Sequence, residues 1–333
     1  IELYISNECV ESLDGINNLI NLQKLCCDYN KIKSLEGINN LKFLQILDCG
    51  DNQIKSLEEI NNLTNLEVLH CSFNQIRSLL PLNKLTNLQE LDCQYNQITS
   101  LSHINNLTNL KELFYSRNQI TSLEHINNLT NLEILDCSEN SITSLFPIND
   151  LTNLKELNCS YNRIKLLEPI NNLINLEILT CHYNYILSLE GINNLTNLKE
   201  LKCLYNQIQS LEPINNLTNL HYVSYYGNPI EYIPPNILRR LNQIENYQNI
   251  YKDNQNVHNH NIQECIRKSI QNILNFKPLF TDILSYITND DIFTDQTKQI
   301  LIEYINCKDI HLTLNITFEE LLIHVLNRIE INE

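Results

Sequence analysis

LTNLQELDCQYNQITSLSHINN, residues 85–106, recurs almost unchanged, head to tail, through two thirds of the chain. Its apolar residues are Leu85, Leu88, Leu91, Cys93, Ile98, Leu101 and Ile104, and Asn96 is the polar residue whose spacing never drifts. That asparagine returns every 22 residues, at Asn30, Asn52, Asn74, Asn96, Asn118, Asn140, Asn162, Asn184, Asn206 and Asn228, without insertion or deletion. A fixed period of this length makes the chain a stack of identical coils, each unable to bury its apolar face alone. A further, degenerate coil precedes them, with Glu8 where the asparagine belongs. This leads us to expect a cap upstream of Ile1 and a natural N-terminus that is missing.

Within the unit, Leu91-Asp92-Cys93 alternates with period two, which predicts one short strand per coil, with Leu and Cys on the core face and Asp outward. The return segment repeats its apolar residues every three positions, which suits 3₁₀ or extended turns. Each ladder asparagine is expected to be buried, with its carboxamide satisfying backbone groups where the strand bends. A serine column from Ser12 to Ser210, broken at Leu166, reads as turn chemistry.

The pattern LxxLxLxxNxIxxLxxL at this period resembles the leucine-rich repeat over about residues 1–233, in the subclass of the internalins and the phosphatase-1 regulatory subunits. The asparagine-rich, cysteine-bearing variety is also similar to repeat proteins of large amoebal DNA viruses. The resemblance implies an α/β fold: a right-handed solenoid with a parallel sheet on its concave side, and a role in binding proteins. Its departure is cysteine in the strand, at Cys27, Cys49, Cys71, Cys93, Cys137, Cys159, Cys181 and Cys203. Placed at one core position, these read as small buried hydrophobes, reduced in a cytoplasmic compartment, with pairing between neighbouring coils as the rival.

After Pro229 the period fails, and Tyr232-Ile233-Pro234-Pro235 before Ile237 and Leu241 resembles the closing turn and short cap helix of such solenoids. The expected organisation is a solenoid with its cap over 1–245, a linker over 246–260 and an all-helical tail over 261–333. The tail's apolar stripes include Ile262, Ile266, Ile270 and Ile273, then Phe318, Leu322, Val325 and Ile329 behind a capping box of Thr317 and Glu320.

The formal charge of −16 argues against nucleic acid or an anionic membrane as partner and favours a basic protein or peptide. No apolar run reaches the length of a membrane span. The column before the ladder asparagine holds Tyr29, Phe73, Tyr95, Tyr161, Tyr183 and Tyr205, interrupted by Asp51, Arg117 and Glu139. Such rings read as two aromatic interface patches flanking a charged middle, or as a column packed only on itself. Beside it, Asp48, Asp92, Phe114 and Asp136 with Glu90 form an outward, acidic stretch that would steer a basic partner.

No metal or cofactor is expected, since no cluster of ligands or phosphate-cradling glycine loop occurs. Asn-Leu-Thr at Asn62, Asn106, Asn128, Asn194 and Asn216 matches the glycosylation acceptor, but the repeat itself generates the string, in a turn where asparagine is structural. Cys307-Lys308-Asp309 resembles an element of bacterial ubiquitin ligases that also carry a helical domain after leucine-rich repeats. The reading is a non-enzymatic recognition scaffold; the alternative is the substrate-recognition part of a ligase-like enzyme with the tail as effector.

Overall fold

The computed structural model describes residues 1–244, so the linker, the helical tail and Cys307 lie outside the described residues. The described residues divide into two compact units, residues 1–208 with 216–228, and residues 209–215 with 229–244.

The first unit carries one parallel sheet of 11 strands in sequence order, each strand three residues long. They are β1 (Glu2–Tyr4), β2 (Lys24–Cys26), β3 (Ile46–Asp48), β4 (Val68–His70), β5 (Glu90–Asp92), β6 (Glu112–Phe114), β7 (Ile134–Asp136), β8 (Glu156–Asn158), β9 (Ile178–Thr180), β10 (Glu200–Lys202) and β11 (Tyr222–Ser224). Register follows the repeat: Leu91 pairs with Leu69 and Leu113, each one period away. The degenerate first coil supplies β1, paired to β2 from Glu2↔Lys24 to Tyr4↔Cys26.

Three-residue strands suffice because the return path is equally regular. Ile104, Leu107 and Leu110 each donate a backbone N–H to the carbonyl three residues back, at 3.0–3.1 Å. A period of three residues per turn keeps those side chains on one inward line. All seven apolar residues of the quoted unit are buried, each leucine and isoleucine worth about 1.5–3 kcal/mol in removed apolar surface. The serines accept the backbone N–H two residues on, as Ser100 does from Ser102 at 3.2 Å, and Leu166, which cannot, is exposed. The five Asn-Leu-Thr asparagines are exposed, and in two of these turns the carbonyls of Asn194 and Asn216 accept the N–H of Thr196 and Thr218 at 2.9 and 3.1 Å.

The cysteine column is buried and free of disulfides from Cys27 to Cys203. Burial pushes these thiols up, to about 12 at Cys27 and Cys203, so almost no nucleophilic thiolate forms. In the native protein, iodoacetamide should modify exposed Cys9 and half-buried Cys26 and spare all eight column thiols. Peptide mass spectrometry before and after denaturation reads this directly, and native labelling of Cys71 or Cys159 would contradict it.

Tyr115 takes the cysteine position between Cys93 and Cys137 and is completely buried. Its hydroxyl finds no hydrogen-bond partner of good geometry; the nearby Cys137 thiol is a weak acceptor. An unsatisfied buried hydroxyl contributes nothing to stability. Tyr115→Phe should therefore leave stability unchanged or raise it by about 1 kcal/mol in urea unfolding. A clear loss would show that the hydroxyl is bonded after all.

In the second unit, α1 (Pro235–Gln243) starts where proline is tolerated, at its first position after extended Pro234. Ile237, Leu238 and Leu241 are buried along one stripe, with Ile233 before them.

Candidate functional site: the outer sheet face and its aromatic column

Leu91 points inward, so Glu90 and Asp92 point outward, and the same alternation holds in every strand from β2 to β10. Strand register sets Asp48, His70, Asp92, Phe114, Asp136, Asn158, Thr180 and Lys202 in one row. Glu90 and Glu112 lie opposite each other in the row beside it. Burial, then the charges of Glu90, Glu133 and Glu156, raises the Glu112 carboxyl above its ordinary value. The middle of the face is thus negatively charged.

His70 is held between carboxylates, with Nε2 2.6 Å from Glu90 and Nδ1 3.8 Å from Asp48. The nearby Asp48 carboxylate, opposed by burial and reinforced by the hydrogen-bonded Glu90, raises its pKa from 6.5 to about 9. A pKa raised on folding adds stability that is whole below the unfolded value and lost as pH climbs through the folded one. His70→Gln should cost about 1 kcal/mol at pH 6, allowing for solvent screening, and nothing at pH 10. Paired melts at the two pH values test this; a pH-independent difference would contradict it.

The aromatic residues are not on the strands. Tyr29, Phe73, Tyr95, Tyr161, Tyr183 and Tyr205 all have φ between 50° and 54°, as do Arg117 and Glu139, in the turn that follows each strand. Left-handed backbone costs a non-glycine residue about 1–2 kcal/mol. The coil imposes it, because Tyr95 N–H must reach the Ser116 carbonyl of the next coil at 2.9 Å.

There the side chains stack. Phe73 lies on Tyr95 with centroids 3.9 Å apart, and Tyr161, Tyr183 and Tyr205 follow at 4.4 and 4.5 Å. Arg117 does not interrupt the column: its guanidinium lies 4.6 Å from the Tyr95 ring and pairs with Glu139 at 2.7 Å. The faces meet each other while the rings remain exposed, Tyr183 by 41%. The stack ends on Gly227, the next column position, with φ 77°. A Cβ there would come 2.5 Å from the Tyr205 ring, so only glycine lets that ring settle.

Beneath the column run the ladder asparagines. Asn96 Oδ1 accepts the Ile76 N–H at 2.9 Å, and Nδ2 donates to the carbonyls of Cys71, Cys93 and Gln94 at 3.0–3.1 Å. Asn30, Asn52, Asn74, Asn118, Asn140, Asn162, Asn184, Asn206 and Asn228 each bind backbone of their own and the preceding coil in the same way. The repeat asparagine is therefore a stitch between coils, and it sets the position of each ring. Residues 20–194 match a family described as "Leucine Rich repeats (2 copies)", in overlapping windows that step by about one coil. The chain belongs to the leucine-rich repeat family.

Among leucine-rich repeat proteins of known structure, two internalins of Listeria monocytogenes are similar. One (inlF) is 28% identical, with a TM-score of 0.51 over 69% of this chain and 81% of its own. Internalin C2 is 32% identical, with a TM-score of 0.54 over 56% of this chain and 82% of its own. The functional domain of InlJ from the same organism, described as including a cysteine ladder, is 25% identical, with a TM-score of 0.56 over 70% of this chain and 57% of that one. No curated protein matches.

Sequence reasoning missed a second asparagine row on the other edge of the leucine-rich repeat sheet. Asn87, Asn109, Asn131 and Asn153 donate Nδ2 to threonine carbonyls one coil back, at 2.8–2.9 Å. They line a groove of about 900 Å³ with Glu67, Lys111, Glu133, Lys155 and Glu177. Its charges largely cancel in pairs, Lys155 with Glu133 and nearby Lys199 with Glu177, each at 2.6 Å. The signal was present as the asparagine of each Leu-Thr-Asn-Leu. Among the described residues, no group of three metal-ligating side chains converges, and no helix is long and apolar enough to cross a membrane.

Proposed function

We propose that this leucine-rich repeat chain is a non-enzymatic scaffold that binds a protein or peptide on its outer sheet face, the concave side of a right-handed solenoid. The stack of exposed Tyr161, Tyr183 and Tyr205 beside the carboxylates of Glu90, Asp92, Glu112 and Asp136 carries this reading. Rigid aromatics lose little conformational entropy on binding and are favoured interface anchors. The negative face favours a basic partner, drawn in at a rate that falls with added salt. The buried, unpaired thiols support a reducing, cytoplasmic setting.

A photo-crosslinking residue in place of Tyr183 tests the reading, with the same residue at Asn131, on the opposite edge, as control. A discrete adduct at position 183 and none at 131 supports it. Equal adducts at both, or none at 183, overturns it.

A further inference from the structure

From Phe73 to Tyr205 the side chains of the left-handed column engage a column neighbour on at least one side, as rings, guanidinium or carboxylate. Between Tyr29 and Phe73 this stacking fails. The intervening residue is Asp51, too short to lie across either ring, and Tyr29 is 62% exposed with no ring or cation against it among the described residues. Phe73 is covered by Tyr95 on one side only.

The three residues sit in consecutive coils with the same backbone, φ 53°, 49° and 51°. Tyr29 N–H bonds the Gly50 carbonyl at 3.1 Å, and Asn52 N–H bonds the Phe73 carbonyl at 3.2 Å. Tyr29 and Phe73 are therefore two coil spacings apart, about 10 Å. One planar group between them would have a ring on each side at close to the 3.9–4.6 Å seen elsewhere in this column. The neighbouring outward position is Gly50, which adds no side chain to the floor.

The slot carries the negative charge of Asp51. Asp51 makes no ion pair among the described residues, and burial, then the charges of nearby Asp28 and Asp48, raises its carboxyl above the ordinary value. Phosphate-bearing planar groups such as nucleotides are repelled there. A lysine ammonium supplies charge but no plane, whereas a guanidinium supplies both.

We propose that the Tyr29–Asp51–Phe73 slot receives the guanidinium of an arginine from the partner protein. The chain contains the template: Arg117 lies on Tyr95 and pairs with Glu139, and Phe73 and Asp51 offer an incoming arginine the same two contacts. The assignment rests on the reading that a protein binds this face, and it names one residue of that partner.

The test uses the full chain and the peptide acetyl-Gly-Arg-Gly-amide, with lysine and citrulline analogues, followed by NMR of the Tyr29 and Phe73 ring signals. Citrulline keeps the plane and loses the charge. The arginine peptide should shift both rings saturably, with each analogue weaker by about tenfold, the loss of one charged, stacked contact. Asp51→Asn should weaken it similarly. Asp51→Arg should abolish binding without lowering the melting temperature, because its own guanidinium then fills the slot as Arg117 does. Equal binding of the citrulline peptide, or arginine binding indifferent to both variants, overturns the assignment. Crosslinking at position 183 is read separately: an adduct with a failed slot leaves the scaffold standing, and a working slot without an adduct removes the scaffold reading.

Discussion

Asn96→Ala should lower the unfolding free energy by about 3–5 kcal/mol, because several buried backbone groups lose their partner at once. The side chain accepts from Ile76 in the preceding coil and donates to Cys71 there and to Cys93 and Gln94 in its own. Each orphaned group costs about 1–3 kcal/mol when water cannot reach it, and Asn96 is only 9% exposed. Asn96→Asp should be no better, since a carboxylate cannot donate and would face three carbonyl oxygens. Asn109→Ala removes one bond, to the Thr86 carbonyl at 2.9 Å, at an exposed site. It should cost less than about 1 kcal/mol. Urea unfolding of the three variants separates the two asparagine rows. If Asn96→Ala unfolds with Asn109→Ala, the ladder is not what holds the coils together.

The strands and the return path were legible because each rests on a short-range period: two at Leu91-Asp92-Cys93, three from Leu101 to Leu110. Burial pattern alone then dictated which of Glu90, Leu91 and Asp92 faces out. The left-handed turn at Tyr95 was not legible, because φ there is set by the hydrogen bond to Ser116 in the next coil. Tyrosine carries no local preference for that conformation, unlike asparagine or glycine. Without the turn, Arg117 reads as a break in an aromatic column; with it, Arg117 is one layer of the stack. Gly227 was equally mute, since its role appears only once the Tyr205 ring lies over it. Tyr115 was mute too, since nothing in the repeat signals that its hydroxyl is buried without a good partner.

The aromatic column combines a backbone cost with a side-chain gain, and this makes recognition separable from folding. Replacing Tyr161 and Tyr183 by asparagine removes two stacking contacts worth about 0.5–1.5 kcal/mol each. It also puts at φ 53° and 54° a residue that tolerates left-handed backbone far better. The two effects oppose, so the melting temperature should move by only a few degrees, roughly 1 kcal/mol or less. Binding has no such compensation. An aromatic anchor at an interface contributes about 2 kcal/mol or more, so the double variant should bind about 100-fold or more weakly.

The decisive measurement is the affinity of the partner crosslinked at position 183 for the wild type and for Tyr161→Asn/Tyr183→Asn, with both melting temperatures determined. We predict a loss of about 100-fold or more with the fold intact. Unchanged affinity, or a loss that only tracks unfolding, would show that the column serves the coil and not a partner.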